Sequence, residues 1–270
     1  MHLTPTLLEY QAESEHFLKS AVTALKQDER VHAAWVFGSL GRGDADALSD
    51  IDLIVVVRDD FLREVIAERY DFAGKVGKPL FSMESPRNAP PGGAYMMVCY
   101  DAPVAPHILD VYWQGSQPMT GDKSQLRLLF ERGGDGRWLP ERKQVEEPDA
   151  EERLQHEIHY FWMMLLIVAK YVCRDPHAAE MHLFQYLPPT YESARAIVGH
   201  GEALDADILS AAVHEPEQKL RMLRYVAESM NTLVGQVHEQ TRELITPAVS
   251  RYLNMVEQSV MGESVPGIEG

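Results

Sequence analysis

Two short stretches in the first quarter of the chain decide the fold. Residues 36–43 read VFGSLGRG, and residues 49–57 read SDIDLIVVV. The second stretch ends in a run of β-branched residues, which predicts a buried strand over Ile51–Val57. The first stretch predicts the end of another strand, over residues 31–37, followed by a turn or helix start at Gly38 and Ser39. Together they predict a chain that leaves a sheet through a glycine and re-enters it through two aspartates.

The residue types around this turn suit a phosphorylated ligand and a cation. Asp50 and Asp52 are i and i+2 of a strand, so their side chains are expected to point to the same face. Neighbouring carboxylates repel each other unless a cation lies between them, and Mg²⁺ favours oxygen ligands. Gly38 lets a ligand approach the backbone, and the amides that open a helix donate readily to phosphate. Alternatively, the aspartates merely face water at the polar end of a strand, which would leave the Gly-Ser pair unexplained.

Composition sets limits on the class of protein. The chain has 270 residues, of which 45% are hydrophobic, and a formal net charge of −16. That charge is a poor match for nucleic acid, although a local site can still bind a small anion. The two cysteines suit a reducing cytosol, and the longest apolar run, residues 160–169, is too short for a membrane helix. We therefore expect a cytoplasmic protein whose partners include neither nucleic acid nor a membrane.

The pattern along the chain changes once, after a first half that mixes helices and strands. Helical spacing in the first thirty residues is followed by β-like segments, and a glycine-rich and then charged stretch, residues 132–149, predicts a linker. Beyond it only helical patterns occur. Besides the strands above, the sequence predicts strands over residues 79–83, 95–100 and 107–113, and helices over residues 61–70, 150–174, 177–186, 191–198, 206–213, 217–244 and 247–261.

The motif resembles a known superfamily. Gly38-Ser39, ten intervening residues and then Asp50-Ile51-Asp52 are similar to the signature of the DNA polymerase β-like nucleotidyltransferases. Arg42-Gly43 and Ser49 resemble the minimal and the antibiotic (lincosamide or aminoglycoside) nucleotidyltransferase branches in particular. The superfamily also has a third carboxylate on a later strand in an apolar context, and Asp110 fits that place. The resemblance covers roughly residues 31–113.

The resemblance implies a role for each of these residues. Asp50 and Asp52 would bind two Mg²⁺ ions, and Asp110 would complete one of the two metal sites. Gly38 and Ser39 would hold the β- and γ-phosphates of ATP while an acceptor hydroxyl attacks the α-phosphorus and pyrophosphate leaves. Asp110 is also placed to accept the proton of the acceptor. These residues form the predicted catalytic, nucleotide-binding and metal sites.

Three further residues are weighed for the same site. Arg42 would neutralise phosphate charge, or else it is a solvated loop arginine. Lys170 ends an apolar run that looks similar to a helix of lincosamide nucleotidyltransferases, and it would reach the triphosphate or else extend its ammonium to water. Glu157 is the alternative to Asp110 as the general base, although a solvated first-turn glutamate is the simpler interpretation.

The expected architecture follows from the pattern and the resemblance. We expect an α+β protein in which residues 1–131 form a nucleotidyltransferase domain with a mixed β-sheet and flanking helices. Residues 132–149 would form the linker, and residues 150–270 an all-α helical-bundle domain that supplies the other wall of the cleft. A homodimer is compatible with the resemblance.

The expected activity is Mg²⁺-dependent transfer of AMP from ATP to a hydroxyl of a small molecule, with release of pyrophosphate. An aminoglycoside or lincosamide is the expected acceptor, which would make the protein an antibiotic-resistance enzyme. One alternative is adenylylation of a protein hydroxyl, against which the long helical half argues. Another is a nucleotide-binding regulatory module without turnover, against which the presence of all three carboxylates argues.

Overall fold

Packing divides the protein into two compact units. The computed structural model describes residues 4–116, 126–133, 149–211, 215–235 and 238–261. Of these, the sheet unit contains residues 11–102, 107–116 and 126–133, and the helical unit contains the rest. The domain limits and the linker predicted from the sequence stay a prediction, and most of that linker, residues 134–148, lies outside the described residues.

The sheet unit alternates strands with short helices. The predicted strands all form, within two residues of their expected limits, whereas the helix predicted over residues 61–70 is divided at Glu68. The elements are α1 (Pro5–Gln27), β1 (Val31–Val36), α2 (Gly38–Arg42), β2 (Ile51–Val57), a 3₁₀ turn (Asp59–Phe61), α3 (Leu62–Ala67), α4 (Arg69–Val76), β3 (Pro79–Glu84), β4 (Ala94–Tyr100), β5 (His107–Gln114) and β6 (Arg127–Glu131). The first turns of α1 belong to the helical unit.

The described strands form one mixed sheet in the order β3-β4-β5-β2-β1-β6. β2 and β5 run parallel, and each of the other neighbouring pairs is antiparallel. β2 and β5 therefore lie at the centre of the sheet, where each is bordered by strands on both sides. This arrangement confirms the predicted α+β class with a mixed sheet and flanking helices.

The two faces of the sheet differ in what they bury. On one face, alternate residues of the central strands, such as Leu53 and Val111, join the main hydrophobic core with Phe17 of α1 and Phe72 of α4. The other face carries a smaller cluster around Ile54. Side chains alternate between the two faces along a strand. Every second residue of β2 and β5 therefore packs in the core, and the residues between them face the other side of the sheet, where a site can form.

After the first turns of α1, the helical unit continues with a long helix that the sequence predicts and that the structure shows to be capped at Asp149. The Asp149 carboxylate accepts a hydrogen bond from the Glu152 amide at 2.8 Å, and Asp175 caps the next helix with Pro176 at its first position. The elements are α5 (Ala150–Arg174), α6 (Pro176–Val198), α7 (Ala206–Ala211), α8 (Pro216–Val234), a π-helical turn (Thr241–Ile245) and α9 (Thr246–Met261). None of the described helices is long and apolar enough to cross a membrane.

Some predicted helix limits are wrong. The sequence predicts separate helices over residues 177–186 and 191–198 because Pro188 and Pro189 lack the amide that a helix interior needs. The structure instead has the single helix α6, which contains both prolines. The helix predicted over residues 217–244 ends at Val234. β6 was not predicted.

Candidate active site

The central feature of the site is a pair of aspartates on the two parallel strands. The register of β2 and β5 places Asp52 directly opposite Asp110. Since neighbouring strands lie about 4.8 Å apart and opposed residues share a face, the two carboxylates are neighbours on the face that does not carry the main core. Asp52 is half-buried and Asp110 is 9% exposed. Two acidic side chains that are far apart in sequence are thus brought together by the fold.

The turn at Gly38 packs against this pair. β1 and β2 are antiparallel, and beyond the last pair of the ladder the Phe37 amide donates to the Asp52 carbonyl at 3.1 Å. Gly38 has a φ of +62°, and a β-carbon at that position would overlap Oδ2 of Asp52. Only glycine fits here, on both conformational and steric grounds. The structure therefore places the predicted Gly-Ser turn beside the predicted carboxylates.

A hydrogen-bonded loop leads into Asp50. The Ser49 hydroxyl accepts from the Asp46 amide at 3.0 Å and donates to the Asp46 carboxylate at 3.2 Å, and that carboxylate also accepts from the Leu48 amide at 3.0 Å. Ser49 is 7% exposed, so its hydroxyl shapes the loop rather than facing a ligand. Asp50 follows as a half-buried residue directly before β2.

Aromatic residues surround the aspartate pair. The Tyr95 hydroxyl, on β4, donates to Oδ1 of Asp110 at 3.3 Å and also forms a hydrogen bond with the Asn88 side chain. Burial, and secondarily the negative charge of Asp110, raises the pKa of Tyr95, so it remains a neutral donor to Asp110. Burial, followed by the charges of Asp110 and Asp52, likewise raises the pKa of Tyr112.

The other predicted ligands of the nucleotide lie in different settings. Ser39 is half-buried within α2, next to Gly38. Arg42, at the end of α2, is exposed, and its Nε donates to Asp44 at 3.1 Å. The structure therefore shows Arg42 paired with a neighbouring loop carboxylate, and its predicted contact with phosphate stays a prediction.

Lys170 and Glu157 both lie on α5, in the helical unit. Lys170 is 7% exposed, so its ammonium does not extend freely into water as the alternative interpretation supposed. A Glu157 carboxylate oxygen accepts a hydrogen bond from the Ser193 hydroxyl of α6 at 3.0 Å. Their participation in nucleotide binding or proton transfer stays a prediction.

The donor chemistry of the aspartate pair suits a divalent cation. Across the described residues, no group of three or more His, Cys, Asp or Glu side chains is gathered as a metal site. Mg²⁺ in nucleotide enzymes commonly takes only one or two carboxylates, and completes its octahedron with waters and substrate phosphates. Asp52 and Asp110 meet that requirement for one ion. The second predicted ion, and Asp50 as its ligand, stay predictions.

A small cavity lies on the same face of the sheet and was not predicted. It has a volume of about 230 Å³ and is lined by four sheet-side residues and two residues of the β3–β4 loop: Phe37, Ile54, Tyr112, Gln114, Asn88 and Pro90. Gln114 is 4% exposed, yet neither atom of its amide has a hydrogen-bond partner in the described part of the protein. The sequence could have indicated Gln114, because residues an even number of positions apart on a strand share a face and Gln114 is four residues beyond Asp110 on β5.

Comparison with known proteins defines the class of enzyme. Residues 18–85 match the family model described as the nucleotidyltransferase domain. The matched segment is about a quarter of the chain and contains Gly38, Ser39, Asp50 and Asp52. It supports the polymerase β-like superfamily predicted from the motif, and nothing in it selects the antibiotic branch. The protein is a nucleotidyltransferase.

The solved structure of a STING-associated CdnE c-di-GMP synthase from Capnocytophaga granulosa is also similar. The alignment covers 94% of this chain and 81% of that chain, with 11% sequence identity and a TM-score of 0.30. Similarity at this level decides neither the fold nor the substrate. A search of the curated proteins finds no match to this sequence.

Proposed function

We propose that this enzyme transfers AMP from ATP to a hydroxyl group of a small molecule and releases pyrophosphate. The observation that carries the proposal is the direct opposition of Asp52 and Asp110 on parallel strands, beside a glycine turn that is packed against Asp52. Two carboxylates that the fold brings together repel each other, and they need either a shared proton or positive charge close by. A divalent cation with a nucleotide triphosphate meets that need and agrees with the family match.

In the proposed reaction the acceptor oxygen forms a bond to the α-phosphorus while the bond to pyrophosphate breaks. A Mg²⁺ ion held by Asp52 and Asp110 would supply the positive charge that stabilises the phosphate oxygens. Asp110, oriented by the Tyr95 hydroxyl, takes the acceptor proton. The backbone at Gly38 admits the β- and γ-phosphates closely, and Ser39 supplies a hydroxyl to them.

The proposed acceptor is an aminoglycoside or a lincosamide. Its support is the resemblance of the motif to the antibiotic branch, together with the formal net charge of −16. A negative protein attracts a polycation such as an aminoglycoside through its long-range field. A lincosamide carries a single amine and gains less from this field.

The experiment that tests the function is pyrophosphate release from ATP with Mg²⁺, measured across a panel of aminoglycosides and lincosamides. Release that depends on one antibiotic class supports both the reaction and the acceptor. If ATP binds with Mg²⁺ but nothing on the panel triggers release, the antibiotic acceptor is wrong and protein hydroxyls are tested next. Absence of ATP binding contradicts the proposed function altogether.

A further inference from the structure

The cavity beside the aspartate pair lies on the same face and along the same strands. Opposed residues of β2 and β5 are Asp52 with Asp110, Ile54 with Tyr112, and then Val56 with Gln114. Ile54, Tyr112 and Gln114 line the cavity, so it begins where the aspartate pair ends. This face of the sheet therefore carries the aspartate pair at one end and the cavity next to it.

The lining suits a flat ring. Phe37 and Tyr112 meet edge to face with their ring centroids 5.3 Å apart, and Ile54 and Pro90 complete an apolar wall. Sites for whole drug-sized ligands have volumes of about 300–1,000 Å³, whereas this cavity has about 230 Å³. It fits one ring system of a larger ligand rather than the entire ligand.

The side chain of Gln114 indicates that a ring bound in this cavity forms hydrogen bonds. A buried amide without partners is costly, because it has lost water at both its donor and its acceptor. In the described part of the protein both Nε2 and Oε1 of Gln114 are in this state, and the residue lines the cavity. A ligand with a donor and an acceptor side by side on one edge would satisfy both atoms at once. Adenine presents such an edge, and glutamine pairs with it through two hydrogen bonds.

The distance from the aspartates agrees with a nucleotide. Gln114 is four residues beyond Asp110, which at a rise of about 3.3 Å per residue is about 13 Å along the strand. A nucleoside triphosphate extends over this range between its base and its phosphates. One ligand can therefore place phosphates at Asp52 and Asp110 and a base in the cavity.

We infer that this cavity is the base subsite of the donor nucleotide and that Gln114 recognises the adenine edge. The inference rests on the proposed function, because it assigns the other end of the same ligand. The ring lies among Phe37, Ile54 and Tyr112, and the Gln114 amide pairs with the adjacent donor and acceptor on the adenine edge. Asp52 and Asp110 act at the phosphate end and on the acceptor hydroxyl, and neither contacts the base.

The test measures the affinity of the full chain for ATP, GTP, CTP, UTP and inorganic tripolyphosphate, each with Mg²⁺, by titration calorimetry. Tripolyphosphate reports the phosphate end alone, because it has no base. Gln114→Leu is expected to weaken ATP binding about 5- to 150-fold, the range for one bidentate base contact. It should leave tripolyphosphate binding unchanged and make the four nucleotides bind alike.

Gln11→Leu is the matched control, because it makes the same substitution at an exposed position on α1. This variant should bind every probe as the wild type does. Gln114→Asn keeps the amide but shortens it, so it should lose part of the ATP affinity, and it serves in place of Gln114→Leu if that variant does not fold.

The outcomes separate the two proposals. If Gln114→Leu binds ATP as tightly as the wild type, the base subsite is wrong while the proposed function stands. If the wild type prefers another base, adenine recognition by Gln114 is wrong, and so is ATP as the proposed donor, while nucleotide transfer itself stands. If the wild type binds neither tripolyphosphate nor any nucleotide, the proposed function is wrong and the subsite is overturned with it.

Discussion

Gly38 and Asp52 are in such close contact that a β-carbon on the glycine would overlap the Asp52 carboxylate and force it to shift. Its φ of +62° adds a conformational requirement to the steric one. Gly38→Ala is therefore expected to lower the free energy of unfolding by about 1–3 kcal/mol and to displace the carboxylate. Nucleotide transfer should fall at least tenfold.

Gly43→Ala separates the effect of backbone strain from the effect of displacing the Asp52 carboxylate. Gly43 also has a positive φ, of +83°, but a β-carbon there would meet nothing within 4 Å. Denaturant unfolding should show a loss of stability in both variants, the larger one in Gly38→Ala, while pyrophosphate release should fall only in Gly38→Ala. Equal loss of activity in both would contradict a specific role for the contact with Asp52.

Asp52→Asn and Asp110→Asn should each lower turnover by about 10²-fold or more, the scale for removal of one electrostatic contact to a transition state. Without metal, each variant should be more stable than the wild type by about 0.2–1 kcal/mol, because like charges opposed across strands repel. Pyrophosphate release and thermal unfolding in EDTA measure the two effects. Glu15→Gln, at an exposed position within α1, is the control and should change neither.

Tyr95→Phe tests the hydrogen bond to Asp110. Without the hydroxyl, Asp110 loses a neutral donor and part of its fixed orientation, so kcat should fall about tenfold with a smaller change in KM, on the scale of ~1 kcal/mol for a hydrogen bond. Tyr100→Phe is the matched control, because its hydroxyl donates to the Ala73 carbonyl at 3.1 Å, within the main core cluster. That variant should lose stability and keep its kcat.

Gln114→Leu should stabilise the protein without ligand, by about 1–3 kcal/mol, because it removes a buried amide that has no partner among the described residues. Urea unfolding of the wild type and the variant measures this difference. Stabilisation together with loss of ATP affinity is the combination expected of a residue kept for binding. Destabilisation would instead indicate that the amide supports the fold.

His107 makes the stability of the sheet unit depend on pH. It is 3% exposed, and burial lowers its pKa below the ordinary value of 6.5, in spite of Glu13 at 3.2 Å. The unfolded chain therefore binds the proton more readily than the folded one. Stability is fully present above about pH 6.5 and is lost as the pH falls towards the lower folded pKa, with a slope of up to about 1.4 kcal/mol per pH unit.

Urea unfolding between pH 5 and 7.5 checks this expectation. His107→Gln should flatten the part of the pH profile that this residue contributes. His16→Gln, at an exposed position on α1, should leave the profile as it is in the wild type. A profile unchanged in His107→Gln would contradict the assignment.

Local patterns predicted local structure well. β2 and α5 have the limits that their composition indicates, because a β-branched run and a capped amphipathic stretch each determine their own conformation. β6 was missed because its residues are half-buried or exposed at the sheet edge, so its sequence lacks a clear alternation. The break expected at Pro188 did not occur because contacts beyond the local pattern support α6.

The candidate site was predictable in its residue types but not in its contacts. The motif indicated Gly38, Ser39, Asp50 and Asp52, and an apolar context indicated Asp110. Their proximity depends on the strand order and on the register between β2 and β5, which sequence spacing does not reveal. Gln114 was missed because a single glutamine in an apolar strand carries no motif, and its amide draws attention once the fold shows it buried without a partner among the described residues.

The parallel pairing of β2 with β5 has a consequence for the order of folding. Each of these strands also pairs with a strand that lies closer in the chain, β1 in one case and β4 in the other, so two antiparallel modules can form early from local contacts. Asp52 and Asp110 belong to different modules and meet only when the modules join. The repulsion between them is thus encountered when the two modules join, and a bound cation is expected to speed that step.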